Sequence, residues 1–335
     1  MRHLRAILAV AVLGLAAWLL VTLFSEPAPE ATAARSFHSS RQCAECHAEV
    51  FAEWEASAHA NAWANEDVRA LSNDFANTDC IDCHAPRPVF ETGIGGRVLP
   101  RASRRSEGVD CIACHLLPEG GVAGTIDDRS AACRPVARIE LTRAEFCAGC
   151  HNQHGTVDQW RETSYADEGT SCVDCHMPLR GGDPNGGRSH GFPGGHDIDT
   201  VRSAVTLSGE RAGEGWRVTV TNVAGGHHFP TDERSRASDV FWRPAGDEDA
   251  PWRFLYRFRD PYRYEVDLES TLLPHGEARV LPLEHADARG AVEVALFYMR
   301  SPYFHDPTTG EPIETEAVRD PEREAELLHR ILLEP

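Results

Sequence analysis

The sequence predicts a chain in three parts: an N-terminal transmembrane helix, a segment of short α-helices and loops around stacked covalent prosthetic groups, and a small all-β sandwich-like domain. Three observations carry that prediction. Cys-x-x-Cys-His occurs five times between residues 43 and 176. The first 25 residues hold an uncharged apolar run. After residue 200 the pattern turns to short β-rich stretches separated by turn signals.

The first motif is Cys43, Cys46 and His47, and the second is Cys80, Cys83 and His84. The third is Cys111, Cys114 and His115, the fourth Cys147, Cys150 and His151, and the fifth Cys172, Cys175 and His176. They take ten of the eleven cysteines and leave Cys133 over. This is the attachment pattern of c-type haem. Two thiols one turn apart add across the two vinyl groups of a porphyrin, and the adjacent histidine supplies a neutral imidazole as proximal iron ligand. Zinc knuckles do not demand a histidine after every cysteine pair, and dithiol motifs rarely come five to a chain. The expected cofactors are five covalently bound haem c groups. With about 30 residues per motif, the segment is too short to bury an apolar core of its own. The porphyrins must be that core, and the segment would collapse without them.

At the amino terminus, Ala6 to Phe24 is uncharged and follows Arg2 and Arg5. That run spans a bilayer, and the arginines stay cytoplasmic. The expected divisions are a signal-anchor helix over 1–25, a tether over 26–37, a pentahaem segment over 38–200, a β-sandwich over 201–318 and a C-terminal helix over 319–335. The haem segment then lies in the periplasm, anchored to a bacterial inner membrane. The rival reading is cleavage near Ala31–Ala33, which would release a soluble periplasmic or secreted protein.

The formal charge is −19 and all 33 basic residues are arginine. The acidity argues against nucleic acid and for redox protein partners, cationic or weakly docking. The missing lysine excludes haem sites that use lysine as an iron ligand.

A proximal histidine leaves one iron face open, and a second imidazole closes it. Residues 47–65 carry apolar positions at helical spacing, including Val50, Phe51, Trp54 and Ala58, so a helix is expected. At 1.5 Å per residue it would set His59 about 18 Å from His47, on a neighbouring iron. His190 and His196 lie in the glycine-rich stretch GGRSHGFPGGHD. His227 and His228 are adjacent and point to opposite sides of an extended strand, so one of them, His227, is the ligand candidate. His154 follows His151 by three residues and is a further candidate, with His38 in reserve. His275, His285, His305 and His329 read as surface residues.

Beyond residue 200, SAVTLSG, WRVTVTNV, SDVFWRP, WRFLYRF, EARVLPL and AVEVALFYMR read as strands of an antiparallel sandwich. The tail DPEREAELLHRILL has apolar residues at helical spacing and predicts the terminal helix.

The stretches CAECHAEVFAEWEASAHANA, CVDCHMP, SHGFPGGHD and AGGHHFPTD resemble multihaem cytochromes c of the cytochrome c-552/c-554-like group, related to the tetrahaem carrier that serves hydroxylamine oxidoreductase. The resemblance covers roughly residues 38–232. It implies distal ligation by the histidines of W-x-x-S-x-H and G-H-x-F-P-T, here His59 and His227. The chain departs from it in having five motifs, a doubled His227-His228 and the anchor. Members include carriers and catalysts, so two functions stand. The first is a membrane-anchored electron-transfer cytochrome, the reading preferred over a catalyst. The second is an oxidoreductase acting on a small nitrogen or sulfur compound at one open iron, with Arg161, Tyr165, Asp232, Arg234 or Arg236 beside it.

Overall fold

The attachment motifs fold on short turns and helices, and at three of them a polar residue ahead of the cysteines caps the start. The computed structural model describes residues 36–183, 186–231, 236–247, 249–261, 269–300 and 320–335. The first motif lies on a 3-10 turn, Ser40–Glu45, with Ser39 as a capping box. The other four lie on α-helices. With α1 at Ala48–Glu55 and α2 at Glu66–Leu71, these are α3 (Asp79–His84), α5 (Cys111–His115), α6 (Ala144–His151) and α9 (Cys172–His176), and α4 is Val89–Thr92. Asp110 caps α5 by accepting from Ala113 N at 2.8 Å, and Ser171 caps α9 in a box with Asp174. Such short helices are not stable alone in water; tertiary contacts must hold them. Two further helices, α7 (Thr156–Arg161) and α8 (Ser164–Glu168), and a parallel ladder of β1 (Val122–Gly124) with β2 (Pro135–Ala137) complete this half.

The helix expected over 47–65 stops at Glu55. Ser57 bonds back to Trp54 O at 2.6 Å and accepts from Ala60 N at 3.3 Å, which diverts the backbone into turns.

After α10 (Ile198–Ala204), the chain forms two antiparallel sheets. One has the order β3-β4-β7, with β3 at Val205–Ala212, β4 at Gly215–Asn222 and β7 at Ala278–Leu283. The other is β6-β5-β8-β9, from β5 (Ala237–Pro244), β6 (Arg253–Arg259), β8 (Val292–Met299) and β9 (Glu326–Leu333). The six expected strand stretches are β3 to β8. Inward side chains of both sheets, including Trp216, Val218, Val240, Phe258, Leu296 and Leu328, form one apolar cluster. The main apolar cluster of the haem half contains only Phe75, Ile81 and Ala85 as buried members. That contrast is what a cofactor-filled interior predicts.

The C-terminal helix over 319–335 is corrected. Only a short turn, α11 (Pro321–Glu324), is helical, and residues 326–333 are β9, paired antiparallel to β8. Leu328 and Leu333 are buried there. The ladder offered by β8 outweighs the local helical pattern.

The transmembrane helix expected over residues 1–25 lies outside the described residues. Among the described residues no helix is long and apolar enough to cross a membrane.

Candidate haem-binding site

Three histidines of the motifs face a second imidazole across a gap of nearly constant width. His151 faces His59 with ring centroids 6.0 Å apart, His115 faces His190 at 6.1 Å, and His176 faces His227 at 6.3 Å. With metal–imidazole nitrogen bonds of about 2 Å, two axial imidazoles on one iron have centroids about 6 Å apart. The residues therefore fit haem c: paired cysteines to hold the porphyrin edge, and imidazoles on both faces.

Hydrogen bonds fix the tautomers. Nδ1 of His84, His115 and His176 lies 2.9, 2.8 and 2.6 Å from the carbonyls of Ala62, Ala123 and Pro193. Nδ1 of His190 and His227 lies 3.0 Å from those of Arg188 and His228. A carbonyl only accepts, so Nδ1 carries the proton and Nε2 keeps the lone pair a metal needs. Burial depresses the pKa of His115 and takes His190 down to about 4, so both are neutral at neutral pH.

The loops that carry the facing imidazoles are braced. His59 O accepts from Val109 N at 2.8 Å, and its ring lies 4.3 Å from that of Phe192. Gly108, at φ +58°, passes so close that a Cβ there would lie 2.3 Å from His59 O. Glu53 takes Arg180 in a bidentate pair at 2.9 and 2.7 Å and also accepts from His190 N at 2.8 Å, joining α1 to the His190 loop. Asn222, fully buried, donates to His227 O at 2.9 Å and Leu273 O at 3.0 Å, and accepts from Gly225 N at 3.0 Å.

A porphyrin core predicts sulfurs turned inward, and the structure encloses the ten motif cysteines unevenly. Cys46 and Cys175 depart from that placement and are exposed, whereas Cys43, Cys80, Cys83, Cys111, Cys114, Cys147, Cys150 and Cys172 are half-buried. The position of Cys46 has a local cause. It stands just past the Ser40–Glu45 turn as its cap, with its N–H donated to Cys43 O at 3.2 Å, and so leaves the packed face of that turn. Cys83 lies inside α3, on the side where Asp82 meets the exposed Arg97. Asp82 holds the Arg97 guanidinium above its ordinary pKa, and the Cys83 sulfur adds a smaller push in the same direction. The second attachment site therefore has a charged surface on one side. Nor do the cysteines converge on one point: among the described residues no group of three or more His, Cys, Asp or Glu side chains is placed to hold a bare metal ion.

The attachment turns touch one another. Cys111 N donates to Ser40 Oγ at 3.1 Å, and Ser171 Oγ donates to Thr142 O at 2.6 Å. The thiols of Cys43 and Cys111 are hydrogen-bonded, and that bond lowers the Cys111 pKa. Those of Cys147 and Cys172 are bonded likewise, which lowers Cys172 to about 7 and raises Cys147. Desolvation pushes Cys114 up to about 12, and its charge acts on Cys147.

The remaining candidates are placed differently. His154 is half-buried, and its Nδ1 is buried without a hydrogen-bond partner. His196 and His38 are exposed, and the facing pairs include neither. Arg161 pairs with Asp158 and Glu145, Tyr165 lies 4.8 Å from the His275 ring, and Arg236 donates to Thr231 O at 3.1 Å. Asp232, Arg234 and His305 lie outside the described residues. Two of the histidines read as surface residues are corrected. His275 donates Nδ1–H to Gly225 O at 2.8 Å beside the His227 loop, and His329 Nε2 lies 2.8 Å from Val205 O. Nothing in the local sequence around His275 marks it as a support of the site. For Asn222 the one signal is its position at the end of the strand before GGHHF.

Glu53 carries a pH prediction. The Arg180 hydrogen bond is the largest cause of a pKa lowered to about 2. A free glutamate titrates near 4.3, so the clamp contributes fully above about pH 4.3 and is lost as pH falls toward about 2. Urea unfolding of the holoprotein should show its midpoint falling on acidification through this window. Glu53→Gln should lower the midpoint at neutral pH and flatten the acid dependence. A variant with the parent profile would remove the clamp.

The fold is that of a multihaem cytochrome c, and the five motifs with their facing imidazoles fit covalently bound haem c. The particular likenesses are two. Residues 42–116 match the family of cytochrome c554 and c-prime. The fold is similar to the crystal structure of a penta-heme cytochrome c552 from Thermochromatium tepidum, with TM-score 0.61 and 18% identity, covering 89% of this chain and 99% of that chain. No curated protein matches the chain.

Proposed function

We propose that this protein is a membrane-anchored periplasmic pentahaem cytochrome c that passes single electrons between a membrane or periplasmic donor and a redox partner protein. Bound haem iron supplies the one-electron ferric/ferrous chemistry. The chain's own residues attach it, close its faces and exclude ligands. The observation that carries the reading is the set of three facing imidazole pairs at 6.0 to 6.3 Å, which supports His59, His190 and His227 as distal ligands to the motifs of His151, His115 and His176. Five motifs, and a neighbour described as penta-heme, support the count of five. The touching attachment turns support close packing, with first and third motifs adjacent, then third and fourth, then fourth and fifth. The apolar run ahead of the described residues supports the anchor. The kinship with carriers that serve hydroxylamine oxidoreductase rests on the shared sequence stretches.

The second reading, an oxidoreductase for a small nitrogen or sulfur compound, draws on one observation. Among the described residues no imidazole ring pair includes His47 or His84, although His154 has an unpartnered Nδ1. One measurement separates the readings. A pyridine haemochrome assay on protein matured in a competent host should return five covalent haems, and the ferric spectrum should be mainly low-spin. A spectrum indifferent to nitrite, hydroxylamine, carbon monoxide and cyanide supports the carrier. A high-spin component quenched by such ligands supports the enzyme.

A further inference from the structure

Charged side chains stay wet unless paired or functional, and one arginine of the haem half is buried beside a buried carboxylate. Arg101 has a side chain only 4% exposed, on the loop between the second and third motifs. Its donors go to backbone carbonyls: Nε to Ser103 O at 3.2 Å, Nη1 to Pro86 O at 2.9 Å, and Nη2 to Arg104 O at 2.9 Å and Gly108 O at 2.6 Å. Pro86 follows His84 by two residues, so the guanidinium is anchored at the exit of one attachment helix. Asp110 stands at the entrance of the next. Its side chain is 0% exposed, 3.6 Å from Arg101 Nη1, and it takes Arg104 Nε at 2.7 Å while capping α5. Glu107 completes the cluster. It accepts from Ser39 Oγ at 2.7 Å and Ser40 N at 2.9 Å, tying the loop to the first attachment turn, and contacts Asp110.

Neutral donors would satisfy those carbonyls without the several kcal/mol of desolvation that a buried ion costs. What a neutral group would not supply is a field. In a low-dielectric interior a fixed charge acts strongly over several ångströms, and Asp110 precedes Cys111 directly. Its charge already reaches both attachment sulfurs: it adds to the desolvation that raises Cys114 and opposes the Cys43 hydrogen bond that lowers Cys111. An iron gives up one positive charge on reduction, so a neighbouring cation favours the ferrous state and a neighbouring anion the ferric.

We propose that the buried Arg101–Asp110 pair sets the reduction potential of the haem held by Cys111 and Cys114, the guanidinium raising it and the carboxylate lowering it. This rests on the haem loading proposed above, which the pyridine haemochrome count checks separately on every variant. The test is a potentiometric titration of the holoprotein followed by electron paramagnetic resonance, with the signal of this haem identified by its loss in His190→Ala. Arg101→Met should lower the potential by at least a tenfold change in the reduction equilibrium, about 59 mV for one electron. Asp110→Asn keeps a capping side chain and should shift it upward. Arg101→Lys keeps the charge but loses most of the hydrogen bonds, and should hold the parent potential. Glu107→Gln, partly exposed, should shift it less than Asp110→Asn. Equal shifts in Met and Lys variants would assign Arg101 to structure alone and overturn the proposal, as would a downward or absent shift in Asp110→Asn. Should Arg101→Met fail to mature, the sign of the Asp110→Asn shift decides. A haem count below five in the parent would instead count against the proposed function.

Discussion

His59→Ala is expected to turn one iron from low to high spin, and that iron is the one held by Cys147 and Cys150. His59 faces His151 with ring centroids 6.0 Å apart, and no other pairing brings an imidazole to His151 among the described ring contacts. The change is local because the backbone around His59 is held by groups the substitution leaves intact. Val109 N still meets residue 59 at its carbonyl, and Trp54 Nε1 still donates to Val109 O at 2.8 Å. Truncation leaves a cavity against Phe192, whose ring lies 4.3 Å from that of His59. Added imidazole should enter it and restore the low-spin state. Roughly one haem in five should change in the ferric spectrum, and the other facing pairs should keep their signals. An unchanged spectrum, or a high-spin signal traced to the first motif, would remove the assignment.

The largest effect on stability is expected at Asn222. Its side chain is fully buried and holds three backbone groups of two separate loops, His227 O, Leu273 O and Gly225 N. Asn222→Leu keeps the volume and strips all three partners. Each buried polar group left unpaired costs about 1–3 kcal/mol, so the loss is about 3 kcal/mol or more. For a chain of this size that lowers Tm by about 4 °C. The damage should reach the iron as well. The His227 ring lies nearly parallel to His176, at 7°, and depends on the loop that Asn222 anchors. Calorimetry and the low-spin spectrum of one variant therefore read two consequences of one side chain. A parent-like melting curve with an unaltered spectrum would show the loop to be held elsewhere. Asn222→Asp keeps the acceptor for Gly225 N and loses the two donors, so it should fall between.

The parts legible in the sequence share a physical origin: they are local. Two cysteines and a histidine within five residues mark each attachment motif by spacing alone, and Asp110 or Ser171 just ahead caps the turn that carries it. How far each sulfur is enclosed is not local, and so Cys46 and Cys175 carry the same motif as Cys114 in different surroundings. The strands β3 to β8 are legible too, since turn signals and β-branched runs mark them in a few residues. The tail reads as a helix because ELLHRILL satisfies a helical and an extended period at once, and only the edge of β8 chooses between them. The helix through His59 reads too long because Ser57 competes for the backbone. No local pattern marks Arg101 as buried or His275 as packed beside the His227 loop. Both owe their surroundings to carbonyls of other loops.

By itself the sequence determined the chemistry of the attachment motifs, their number and the strands β3 to β8. Covalent attachment needs only neighbours along the chain. Tertiary structure alone decided which imidazole faces which, with His59 opposite His151, His190 opposite His115 and His227 opposite His176. It also decided where a bare charge could be buried between two attachment sites. Ligand pairing and field strength depend on distances through space, and those exist only after clamps such as Glu53 to His190, 137 residues apart, have closed.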